Sequence, residues 1–150
     1  MAIESAGILL YRGQPREVLL IHMGGPLWAK KDDAAWSIPK GVMGIGENAL
    51  VAARREFSEE TGFTAEPPFV PLGRFLQNKS KYLSVWAAEG DADSTALVSN
   101  TFLLEWPPHS GAMREFPEAD RAAWLGKEDA RRRVVKGQRQ VLDHFFAQRI

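Results

Sequence analysis

The chain has 150 residues, of which 45% are apolar, 25% charged and 10% aromatic, an ordinary makeup for one domain that buries its core without staples. Nineteen Lys and Arg balance nineteen Asp and Glu, which argues against a generally basic coat for nucleic acid or a polybasic membrane surface. With no cysteine there is no disulfide, thiolate metal site or thiol nucleophile, so any chemistry must use oxygen and nitrogen groups.

Ala6-Gly-Ile-Leu-Leu-Tyr11 and Val18-Leu-Leu-Ile-His22 flank a polar turn at residues 12–16 and read as paired strands. Met23 to Ala35 reads as an exposed loop, and Trp36-Ser-Ile-Pro39 must be extended at Ile38, because a residue before proline is pushed out of the helical region. Glu47 to Thr61 is the strongest helix, rich in Ala, Leu, Arg and Glu and stopped by Gly62. Strand-like runs follow at 69–76, 81–88, 101–106 and 119–125. The chain then turns helical over 127–135 and 138–148, where Val141, Leu142, Phe145 and Phe146 form an apolar stripe. The pattern predicts an α/β (α+β) sandwich, helices on a mixed sheet, as one domain over 1–150. No run approaches the ~20 apolar residues of a membrane span, and Met1-Ala-Ile-Glu-Ser5 carries an acid where a secretion signal wants a base. A cytoplasmic location away from the membrane is the expectation.

Chemistry concentrates between Gly41 and Phe63. At 100° per residue, Glu59 lies roughly 60° to one side of Glu56 and Glu60 roughly 40° to the other, so three carboxylates share one arc. Like charges ~5 Å apart repel by about 3 kcal/mol at an effective dielectric of 20. Arg54 and Arg55 offset part of this, and a hard divalent cation with oxygen ligands would offset more. Leu50, Ala53 and Phe57 form the separate stripe that anchors the helix. Arg55, four residues before Glu59, can orient that carboxylate as a bidentate pair, and Glu47 at the helix start suits the dipole. Gly41, Gly44 and Gly46 allow a tight loop and close approach, and Gly62 a left-handed exit.

Gly41, Glu47, Arg55-Glu56-Phe57, Glu59-Glu60 and Gly62-Phe63 occupy every fixed position of the Nudix box, G-x5-E-x7-R-E-U-x-E-E-x-G-U, where U is apolar. The chain therefore resembles the Nudix hydrolases. The resemblance implies an α/β/α sandwich whose box is a loop–helix–loop, and hydrolysis of a phosphoanhydride in a nucleoside diphosphate linked to some group X. It implies Mg2+, with Mn2+ as a substitute, held by Glu56, Glu59 and Glu60 with the main-chain carbonyl of Lys40. It implies structural roles for Gly41, Glu47, Arg55 and Gly62, and substrate contact by Lys40 and Gly41. A further carboxylate is expected shortly before a late tryptophan. Glu118, six residues before Trp124, is the best match and Glu115 the second, as ligand or general base. Glu56 and Glu59 are the candidate bases within the box.

Trp36-Ser-Ile-Pro-Lys-Gly41 looks like the lead-in of the diadenosine-tetraphosphate hydrolases, although many of those carry a glutamate where this chain has Gly44. The remainder resembles a bacterial subgroup of predicted nucleoside-triphosphate pyrophosphohydrolases. That likeness rests on Gly24-Gly-Pro-Leu-Trp-Ala-Lys30, Asn100-Thr-Phe and residues 105–111 through Glu118 to Trp124. The expected partner is thus a nucleotide polyphosphate: a dinucleoside polyphosphate or nucleoside triphosphate, with ADP-ribose or a nucleotide sugar as the alternative. A non-catalytic nucleotide sensor would be expected to lose box carboxylates, and all are kept. Zero net charge disfavours a nucleic-acid partner. A homodimer stays open. Lys30, Lys31, Lys79 and Lys81 could meet outer phosphates, and Trp28, Phe102, Trp106 and Phe116 could stack a base, with Phe102 the one expected in the core. His22, His109 and His144 have no partner at metal spacing and receive no role.

Overall fold

A computed structural model describes residues 2–149. The strands are β1 (Ile3–Arg12), β2 (Glu17–Met23), β3 (Trp36–Ser37), β4 (Lys40–Val42), β5 (Val70–Asn78), β6 (Lys81–Glu89), β7 (Thr101–Glu105), β8 (Met113–Pro117) and β9 (Ala119–Leu125). The helices are α1 (Ala49–Thr61), α2 (Lys127–Arg133) and α3 (Arg139–Ala147). β1 is an almost unbroken apolar run because both its faces are covered. It runs parallel to β6, from Ile3 opposite Lys81 to Tyr11 opposite Glu89, and antiparallel to β2 and β4. β9 joins β2, and β5 closes the far side of β6, which makes a mixed seven-stranded sheet.

Alternation along β1 sends Ala6, Ile8 and Leu10 to one face and Leu9 and Tyr11 to the other. The first face packs on Ala52, Ala53 and Phe57 of α1. The second packs on Ala130 and Val134, then Val141, Leu142 and Phe145 of α3. The sheet is thus sandwiched between helices, as expected, and no helix among the described residues is long and apolar enough to cross a membrane.

Three local expectations differ. α1 begins at Ala49, because Asn48 caps it by accepting the N–H groups of Leu50 and Val51 at 3.0 and 3.2 Å. The second helical run ends at Arg133, where Val134 turns extended to bridge Trp36. β8 lay unread within a Pro- and Gly-rich stretch. It pairs with β7 as a separate two-stranded ribbon, with Phe102 against Phe116 at a ring distance of 6.2 Å. Phe102 accordingly packs in this ribbon, beside Gly25, rather than in either core cluster.

Candidate active site

Before α1 the chain folds back, and Glu47 lands outside the helix. Its Oε1 accepts the Gly44 N–H at 2.8 Å. The Arg55 guanidinium forks onto Glu47, Nε to Oε2 and Nη2 to Oε1, both at 2.9 Å. The fork expected on Glu59 therefore belongs to Glu47, which lies two turns earlier in sequence but closes on Arg55 through the loop. Arg55 Nη1 remains for the helix acids, donating to Glu56 at 2.9 Å and Glu59 at 3.1 Å. The Arg55 hydrogen bonds and the Gly44 N–H hold Glu47 down to about 2. At the other end Gly62 takes the left-handed conformation at φ 77° and donates to Ser58 C=O.

Lys40, Gly41, Val42, Glu56, Glu59, Glu60, Asn100 and Glu118 line one cleft of about 310 Å³. The Lys40 N–H donates to Glu60 Oε1 at 2.7 Å. A Cβ on Gly41 would lie 2.0 Å from the Glu56 carboxyl carbon, so any larger residue here would push the Glu56 carboxylate out of its place. Burial pushes Glu60 up to about 7; the charge and N–H of Lys40 oppose this, and Glu56 and Glu118 add to it. Burial also raises Glu56, against the pull of Arg55. A wider depression of about 560 Å³ beside Arg16 and Phe146 offers one carboxylate, Glu17, next to two cations. The acid chemistry sits in the smaller cleft.

Glu118 arrives from the other side of the chain. Its N–H donates to Asn100 C=O at 2.8 Å, its C=O accepts from Gly24 N–H at 2.9 Å, and Asn100 N–H donates to Glu59 C=O at 2.8 Å. Glu115 stands on β8 opposite Leu103, exposed and outside the cleft lining. Lys81 feels both Lys40 and Glu60; burial foremost, then the Lys40 charge, depresses its ammonium. Lys30, Lys31 and Lys79 lie outside the cleft lining. His22, given no role from sequence, is fully buried, with Nδ1 2.8 Å from Asp120 and Nε2 2.6 Å from Lys31 C=O. Asn100 is the cleft residue that residue-by-residue reasoning passed over; its only signal was its place in Asn100-Thr-Phe.

Among the described residues no three His, Asp or Glu side chains stand gathered closely enough to grip a cation. Arg55 Nη1 stands between Glu56 and Glu59 instead. The donor chemistry nevertheless suits a hard divalent ion. Four carboxylates share one cleft, and two of them, Glu56 and Glu60, are driven toward neutrality by burial that a cation would relieve.

The NUDIX domain family matches residues 1–145. The chain belongs to the NUDIX family. This NUDIX domain is 32% identical to the 8-oxo-(d)GTP phosphatase of Mycolicibacterium smegmatis, over 79% of the chain and 38% of that protein. It is also 32% identical to Nudix hydrolase 7 of Arabidopsis thaliana, over 54% of the chain and 27% of that protein. The chain thus spans well under half the length of either relative. Among solved structures it superposes on the C. elegans Ap4A hydrolase binary complex with a TM-score of 0.59 at 22% identity, covering 97% of this chain and 96% of that one. It superposes on a MutT protein from Bacillus halodurans with a TM-score of 0.65 at 16% identity, covering 97% and 83%. At such identities the likeness concerns the fold.

Proposed function

We propose that this NUDIX domain hydrolyses a phosphoanhydride bond of a nucleoside diphosphate linked to another group. A dinucleoside polyphosphate or nucleoside triphosphate is the favoured class, and Mg2+, or Mn2+ in its place, the cofactor. The observation that carries this reading is one cleft lined by Glu56, Glu59, Glu60 and Glu118 together with Lys40. The phosphatase and hydrolase named among its relatives support it.

Glu56, Glu59 and Glu60 would hold the cation, with the Lys40 carbonyl as a further ligand. Bound there, the cation neutralises phosphate oxygens and lowers the pKa of a water. The Lys40 ammonium meets phosphate charge, and bare Gly41 leaves room for the Glu56 carboxylate itself to sit against β4. Glu47 holds Arg55, and Arg55 orients Glu56 and Glu59. Glu56 commits one oxygen and Glu59 both to Arg55, whereas the Glu118 carboxylate makes no side-chain hydrogen bond among the described residues. Glu118 is accordingly the base freest to take the proton as water attacks phosphorus and the anhydride P–O bond breaks. The enzyme acts in the cytoplasm on a small nucleotide.

A panel of dinucleoside polyphosphates, nucleoside triphosphates, ADP-ribose and nucleotide sugars, run with Mg2+ in 18O-labelled water, identifies both the substrate and the phosphorus attacked. Glu59→Gln and Glu60→Gln should each lower kcat by more than the ~10–100-fold that losing a group behind a metal ligand costs. Mg2+ should raise the Tm of the wild type by mass action and that of either variant much less. Full turnover in both variants would remove the box from the mechanism.

A further inference from the structure

Asn100 occupies an unusual position among the groups that line the cleft. Its backbone is committed on both sides: N–H to Glu59 C=O, and C=O to the Glu118 N–H and the Ser99 hydroxyl, each at 2.8 Å. It is therefore the clip that fastens the end of α1 to the bend between β8 and β9 that carries Glu118. Among the described residues its side-chain amide has no hydrogen-bond partner. The other polar side chains of the cleft are four carboxylates, which when ionised only accept, and the Lys40 ammonium.

A polyanionic substrate in such a cleft needs donors, yet a second cation beside Glu59 and Glu118 would be captured by them, as Arg55 is by Glu47, Glu56 and Glu59. An amide escapes this constraint. It carries no charge for the carboxylates to neutralise, does not titrate, and presents two N–H donors from a backbone held on both sides. We infer that the Asn100 side-chain amide donates a hydrogen bond to a non-bridging oxygen of the substrate's phosphate chain. This substrate-binding role rests on the proposed phosphoanhydride hydrolysis and adds a specific donor to it.

The test uses the full chain as wild type, Asn100→Ala and Asn100→Asp. Calorimetry with Mg2+ and imidodiphosphate, a non-hydrolysable pyrophosphate analogue, is paired with KM and kcat on the best nucleotide of the panel. Asn100→Ala should weaken imidodiphosphate binding and raise KM by about tenfold or more, the weight of a hydrogen bond to a charged group, with kcat within about threefold. Asn100→Asp, which replaces the donor with a fifth carboxylate, should be weaker still. Melting temperatures should stay close to wild type, because the backbone clip survives both changes. Unchanged imidodiphosphate affinity in Asn100→Ala overturns the inference, as does a wild type that does not bind the analogue. Wild-type affinity in Asn100→Asp overturns it too. A wild type that hydrolyses no nucleotide refutes the proposed function alone, since the imidodiphosphate affinities still decide the role of Asn100.

Discussion

The N–H and C=O of Glu118 are both held by backbone partners, Asn100 and Gly24, which leaves its carboxylate aimed by rigid neighbours into the cleft. Glu115, three residues earlier, lies on the exposed side of the ribbon opposite Leu103. Sequence spacing from Trp124 ranked these two acids; the peptide bonds around Asn100 distinguish them physically. Glu118→Gln should lower kcat at least about tenfold, and Glu115→Gln should leave it within about twofold, measured side by side on one nucleotide; tenfold is the smaller end of general-base loss. A larger loss at Glu115 would reverse the assignment.

The box helix shows how a one-dimensional pattern becomes a rigid device. Phe57, Ala52 and Ala53 are completely buried against the sheet, so the acids beside them on α1 inherit its fixed orientation. The loop before it is fastened by the Glu47–Arg55 fork, and this fastening has a pH signature. The Glu47 pKa is depressed from 4.5 to about 2 in the folded chain. A depressed carboxyl contributes stability that is complete above its unfolded value and disappears as pH falls through its folded value. Glu47→Gln should therefore melt below wild type at pH 6 to 7, and the gap should narrow from about pH 4.5 and close near pH 2. Thermal melts of both proteins across that range check it; a gap that widens in acid would contradict the fork. The register of α1 was legible because charge, apolar stripe and terminal glycine agree over fifteen residues. The identity of its cap was not, because Glu47 and Asn48 both suit a helix start and only the returning loop gives Glu47 a different partner.

Across the whole molecule, the cleft is assembled from segments far apart in the chain: β4, α1, Asn100 and the approach to β9. The Gly24 loop fastens them, and it has no room to spare. A Cβ there would fall 1.9 Å from Pro117 C=O and 2.9 Å from its carbon, contacts with backbone that cannot swing aside. Gly24→Ala should destabilise by about 1–3 kcal/mol, the usual cost of forcing a backbone shift. At temperatures where the variant is still folded it should also lose activity, because the displaced backbone at Pro117 leads directly into Glu118. Paired melts and kinetics would check this, and a folded variant with full kcat would detach Gly24 from the site.

Short-range order already specified the six strands β1, β2, β5, β6, β7 and β9, the box helix, the left-handed exit at Gly62 and the acids at 56, 59 and 60. Each depends on side chains a few residues apart, whose periodicity and spacing are written directly in the chain. The partner of Arg55, the existence of β8, the burial of His22 and the place of Asn100 beside Glu59 and Glu118 were settled by packing instead. They join residues separated by loops or by whole strands, and a hydrogen bond between such residues depends on where the intervening chain turns, which no local pattern contains.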